Sequence, residues 1–257
     1  MLGSVTTAAA WRWAASGKHP VSADFFRAGK EFPLLKGFSD WIENGYQYLA
    51  RKNRPLVSLH SWRFWVRGGA RDVLACGLVR DSSDSLGRPY PLLIMGSGAL
   101  KDWDQQWDLL PFACERTWNR MEYIAAQGAR EFRSFEQDIE RIRPPDADWA
   151  AFAAKGESFC RSLAESEGSE GCLAPGEIER LSEELAVRAE SFLPFDGTGI
   201  ADQTALIVRW HSRLRAIGRE APSAAFMGGT MEKSCLAFFK RPLVAEDFGR
   251  LWAVEGG

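Results

Sequence analysis

The sequence predicts an α/β fold, a mixed, partly antiparallel sheet sandwiched between helix layers. Three observations carry this. Short apolar runs between residues 56 and 95 are parted by turn residues. From Trp107 to Phe192 the apolar positions recur mostly at helical spacing. Two further apolar runs, at 224–227 and 235–239, then flank a Gly-Gly pair.

Taken in order, Val5 to Trp13 is extended, with β-branched residues leading into alternating aromatics. A loop containing Gly17, Pro20 and Ser22 follows. Phe38, Trp41, Ile42, Gly45, Tyr46 and Leu49 share one face of an amphipathic helix, with Ser39 or Asp40 suited to cap it. Leu56 to Val66 and Val73 to Val79 read as strands parted by a turn at Gly68-Gly69. A polar turn, Arg80 to Pro89, leads to a third strand, Tyr90 to Met95, making an antiparallel meander.

Trp107, Leu110, Cys114, Trp118, Met121 and Ala125 then mark a helix whose Pro111 is tolerable only near its first turn. A second helix carries Phe132, Phe135, Ile139 and Ile142, and Pro144-Pro145 ends it. Trp149 to Leu163 is a third. Glu165 to Gly176 is small, acidic and Gly-rich, the composition of a mobile surface loop. Pro175 opens another helix, with Ile178, Leu181, Leu185, Ala189 and Phe192 inward. Leu206, Trp210, Leu214 and Ile217 form one more helix, or a strand through 206–210. Ala224 to Met227 and Cys235 to Phe239 read as a hairpin across Gly228-Gly229, and the run Cys235–Phe239 suits a strand buried on both faces. Asp247 to Trp252 closes the chain as a short helix. No clear linker divides the 257 residues, so one globule is expected: an N-terminal part, 1–127, and a helical block and closing hairpin, 128–257, that complete the sheet.

Composition limits the functions. The formal charge is −2 and no Lys/Arg stripe appears, which argues against nucleic-acid binding. Cys76, Cys114, Cys160, Cys172 and Cys235 stand alone in the sequence, an odd count that points to a reducing compartment. His19, His60 and His211 lie in separate segments with no metal-ligand spacing. No stretch reaches the ~18–20 apolar residues of a membrane helix, and residues 1–13 lack a basic region before their Ala run. A cytoplasmic protein without membrane insertion is the expectation. The 11 Trp and 16 Phe read chiefly as core, the remainder as partner surface.

No catalytic set is legible. Gly96-Ser97-Gly98 lacks the strand-turn-helix context of a nucleophile elbow, and Gly-rich phosphate loops are absent. The expectation is no enzyme, no cofactor and no metal. Two segments are nevertheless constrained. In Gly17 to Phe26, Lys18, His19 and Asp24 share a loop whose Phe25 and Phe26 plug the core while Asp24 accepts from turn amides. In Gly77 to Leu92, Asp81, Ser82, Ser83 and Asp84 suit turns, Gly87 allows positive φ and Pro89 forces an extended exit. Arg88 either locks this loop by pairing with Asp84 or offers its fork to a partner carboxylate, with locking favoured.

Three strings in this region resemble the TagF (ImpM-type) accessory proteins of bacterial type VI secretion. They are Gly17, Lys18, Pro20, Asp24 and Phe25; Trp62, Arg63 and Phe64; and Gly77, Ser82, Asp84, Gly87, Arg88, Tyr90, Pro91 and Leu92. The likeness covers about residues 5–125 and continues faintly through Pro222-Ser223 and the strand before Pro242. Ala23, Ser85 and Phe226-Met227 depart from the family pattern, which has Gly, Arg and a Trp pair there. The resemblance implies a three-layer α/β/α sandwich and a non-enzymatic regulator, usually a repressor, of secretion assembly. It also implies a contact with an FHA-domain scaffold protein, beside a PP2C-type phosphatase. Gly17, Lys18, Asp24, Trp62, Arg63, Ser82, Asp84, Gly87 and Arg88 are then the candidate motif or partner-binding residues. A small-molecule or nucleotide enzyme using loop 80–89, and a self-assembling structural component, are the competing expectations.

Overall fold

A computed structural model describes residues 10–51, 59–128, 131–165, 188–195, 202–218 and 220–253. Among these residues eight strands form one sheet: β1 (Arg12–Gly17), β2 (Phe26–Gly29), β3 (Ser61–Arg67), β4 (Val73–Arg80), β5 (Leu92–Ala99), β6 (Glu190–Phe195), β7 (Ala224–Gly229) and β8 (Ser234–Phe239). Their spatial order is β2-β1-β5-β4-β3-β7-β8-β6. Every pairing is antiparallel. The α/β class with helices on both faces stands, and the sheet is antiparallel throughout where a mixed one was expected. The predicted meander is β3-β4-β5, and β7 and β8 are the predicted hairpin.

Side chains alternate across a strand, so each strand feeds two cores. On one face α1 (Pro33–Arg51) and α6 (Ala245–Leu251) cover Trp62, Phe64, Phe226 and Phe239. Phe38 stacks on Phe64 with centroids 4.8 Å apart, and Phe248 stacks on Trp252 at 3.9 Å. On the other face lie α2 (Leu110–Ala126), α3 (Phe132–Glu140), α4 (Trp149–Glu165) and α5 (Gln203–Gly218), with Trp65, Trp103, Trp107 and Trp118 in the core. Trp65 and Phe64 are neighbours in β3 yet belong to opposite cores.

Several elements differ from the sequence reading. α1 begins at Pro33, whose ring suits a first turn, so Ser39 and Asp40 lie inside it. Ser39 instead hydrogen-bonds the hydroxyl of Ser16 in β1 at 3.0 Å. The strand expected over 5–13 occupies Arg12–Gly17, and residues 5–9 lie outside the described residues; so do 56–58 of the next strand, the acidic loop from residue 166 on, and the start of the helix from Pro175. Ala189 and Phe192 are not helical. Glu190–Phe195 pairs with β8 at the sheet edge, where Pro194 is permitted because its missing N–H faces away from the ladder. The spacing of 189 and 192 fits a helix only by coincidence. The strand β2 lies where a loop is expected, with Phe26 buried as expected; Phe25 is exposed and lies edge-on to Tyr90 at 5.5 Å.

Two cysteines distant in the chain come together in the fold. Cys76 of β4 and Cys114 of α2 meet inside the core, where burial and the neighbouring thiol push the Cys76 pKa well up. Both are free thiols.

Candidate functional site

The two constrained segments meet. At one end of the sheet β1 exits through Gly17 into the loop 18–25, and β4 exits through Arg80 into the loop 81–91. Asp84, with no exposed side-chain surface, is where they join. Its Oδ1 accepts from the backbone N–H of Leu86 at 3.0 Å and of Arg88 at 2.9 Å. Its Oδ2 lies 3.1 Å from Lys18 Nζ and accepts from Arg88 Nε at 2.7 Å. Burial alone would raise the Asp84 pKa. The Arg88 N–H, the Lys18 and Arg88 side chains and the Leu86 N–H outweigh it and hold the carboxyl at about 2.

The remaining bonds fasten one loop to the other. Arg88 donates to the Ala23 carbonyl at 2.6 Å and stands 3.4 Å from Asp24, while Ser85 N–H donates to the Ser22 carbonyl at 2.9 Å. Asp24 accepts from the Phe25 N–H at 2.8 Å, the turn role expected of it. Gly87 has φ of +77° and its N–H donates to the Asp84 carbonyl at 2.9 Å. An added Cβ there would meet nothing within 4 Å. Gly87→Ala should therefore cost only its backbone strain, about 1 kcal/mol, read as a shift in urea midpoint at constant slope. An unchanged midpoint would show that this φ carries no penalty.

Arg88 thus takes the locking arrangement, with half of its side chain still exposed. Ser82 contributes its carbonyl, which accepts from Tyr90 N–H at 3.0 Å. Gly17, at φ +121°, is the last residue of β1. Trp62 and Arg63 belong elsewhere. Trp62 is fully buried under α1 and α6 and has no surface to offer a partner. Arg63, pointing to the other face, makes a bidentate bond to Glu122 of α2 at 2.7 and 2.7 Å and a third to Asn119 at 2.9 Å.

Sequence reasoning missed three parts of this site. Lys18 was singled out without a partner, because Asp84 is far away in the chain. Asp81 is a second hub: His60 N–H donates to it at 2.8 Å and Trp252 Nε1 at 2.6 Å, fastening the end of the chain to the loop. The side chain of Arg80, the third, has no hydrogen bond or carboxylate partner among the described residues. Beside this loop opens a cleft of about 550 Å³, lined by His19, Arg80, Ser82, Tyr90 and Gln127 among others. Neither Asp84 nor Arg88 lines it. Burial raises the Tyr90 pKa, and so does Glu43, which accepts its hydroxyl at 2.8 Å.

A family model described as the TagF N-terminal domain, type VI secretion system-associated, matches residues 14–142. No curated protein matches the sequence. Among solved structures, this one is similar to the crystal structure of PA0076 from Pseudomonas aeruginosa PAO1. The TM-score is 0.53 at 15% identity, over 95% of this chain and 96% of that one. At that identity the likeness concerns the fold.

Proposed function

The chain belongs to the TagF family of type VI secretion-associated proteins, and from that premise we propose that it is a non-enzymatic cytoplasmic regulator, a repressor, of secretion assembly. It acts through protein contacts, the direct partner being an FHA-domain scaffold protein in a pathway that also holds a PP2C-type phosphatase. The observation that carries the reading, beyond the family, is the saturated state of the acidic groups in the motif loop. Asp84 takes four donors and its pKa lies near 2; a general base at neutral pH needs the opposite tuning. Asp81 is held by His60 and Trp252. The loop is built as a rigid surface, and Leu86, 68% exposed, stands at its tip.

The test is capture. Tagged full-length chain, expressed in its native bacterium, should retain the FHA-domain scaffold in a pull-down read by mass spectrometry. Absence of the scaffold, with secretion unchanged on deletion of the gene, would refute the assignment. The same assay separates locking from recognition at Arg88. Because its side chain is half exposed and Lys18 remains beside Asp84, Arg88→Ala should lower stability by about 1 kcal/mol. Capture by the folded variant should persist. A variant of normal stability that captures nothing would make Arg88 a binding residue.

A further inference from the structure

We infer that the cleft between the His19-Pro20 turn, the exit of β4 and the C-terminal end of α2 is a binding site for a small organic anion. The ligand class is a carboxylate or phosphate ester carried on a compact apolar or aromatic body. This inference is independent of the partner proposed above.

The first ground is an uncompensated cation. Arg80 lines the cleft and is partly buried, and among the described residues it has neither a hydrogen-bond acceptor nor a carboxylate partner. Other partly buried arginines are committed: Arg63 to Glu122, Arg120 to Asp138, Arg215 to Asp108 and Arg241 to Asp247. A guanidinium with no internal partner is free to pair with an entering anion, and such a charge-assisted, bidentate bond is the strong kind. The charge is felt locally: burial lowers the His19 pKa first, the Ala125 carbonyl opposes it, and the nearby Arg80 adds to the lowering.

The second ground is the donor surplus around it. Gln127 Nε2 is buried without a hydrogen-bond partner and lies in the same wall. Ser82 and Ser83 line it too. One carboxylate, Asp81, borders the cleft, and its two oxygens already receive the Trp252 indole and the His60 N–H. Donors are in excess, which selects negative charge.

The third ground is shape. A volume of about 550 Å³ falls in the range of small-molecule sites, roughly 300–1,000 Å³. Pro20, Leu59, Pro89 and Ala125 supply apolar wall, and the rings of Tyr46 and Tyr90 stand 5.0 Å apart beside them. An inorganic ion would leave that wall wet, whereas an anion on an apolar stem covers it.

The experiment titrates the full-length chain with phenyl phosphate and with benzoate, using neutral benzyl alcohol as control, by calorimetry and thermal melting. Saturable binding of at least one anion, a raised melting temperature and no response to the alcohol are expected. Arg80→Gln should weaken that binding at least tenfold without lowering the melting point of the free protein, since no internal partner is lost. If that variant does not fold, Gln127→Leu is the substitute, with at least a threefold loss expected. No saturable anion binding, or equal binding by Arg80→Gln, would overturn the inference. Adding the bound anion to the pull-down identifies the source: displacement of a captured protein means that the anionic group belongs to a protein side chain, and undisturbed capture means a free small molecule.

Discussion

Gly17→Ala is expected to destabilise the protein by roughly 4 kcal/mol, enough to leave little folded material. Two effects add. The φ of +121° lies where L side chains are strained, and a Cβ would sit 2.1 Å from the Pro91 carbonyl oxygen. That oxygen is backbone of the segment entering β5, whose Leu92 is registered against Gly17, so it cannot swing aside as a side chain would. Retreat would break the β1–β5 ladder and pull Lys18 from Asp84 next door. Gly87→Ala has the strain without the collision, and the contrast isolates the two contributions. Chemical denaturation of both variants against wild type is the measurement. A Gly17→Ala midpoint within 1 kcal/mol of wild type would mean that this junction yields.

The second large effect is at the joint of the two loops. Asp84→Asn keeps the shape but removes the charge that Lys18 and Arg88 share, and its amide turns a donor toward one of them. Breaking a buried pair from one side is the costly case, and a melting temperature lower by about 10 °C is expected at pH 7. The pH dependence gives an independent check. The Asp84 pKa is depressed to about 2 in the fold, against about 3.9 in an unfolded chain. Its stabilisation is therefore complete above about pH 4 and is lost as pH falls through about 2. The gap between wild type and Asp84→Asn should narrow across that window. A constant gap down to pH 2 would show that the amide's geometry, and not the lost charge, is responsible.

These residues also mark what was legible in the sequence. Asp84, Gly87 and Arg88 lie within five positions, so turn chemistry and an i, i+4 ion pair could be read directly, and the meander and the hairpin followed from periodicity. The face of α1 was legible because Phe38, Trp41, Ile42 and Leu49 repeat at helical spacing. What distance in the chain hides was not legible. Lys18 reaches Asp84 across the β1–β5 connection, Trp252 reaches Asp81, and Cys76 meets Cys114, each through a topology that no local pattern encodes. The sequence of the loop 18–25 suggests a plug of the core, but Phe25 lies against Tyr90 and Arg88 bonds the carbonyl of Ala23, contacts that only the assembled sheet creates. The strand β6 escaped because it is short, lies at an edge and carries a proline.

The strand order has a consequence for biosynthesis. On one side β3 pairs with β4, which is made a few residues later, but on the other it waits for β7, at Ala224–Gly229. During translation the run Ser61–Arg67, rich in aromatic residues, emerges with one row of amides and carbonyls unsatisfied. Phe226, Phe239 and Phe248, which lie in the same core as Trp62 and Phe64, do not yet exist. Such an edge templates pairing with other chains, and closing so long a loop is slow. A ribosome-bound or truncated product ending near residue 142 is therefore an adhesive intermediate. It becomes inert only when the last hundred residues arrive.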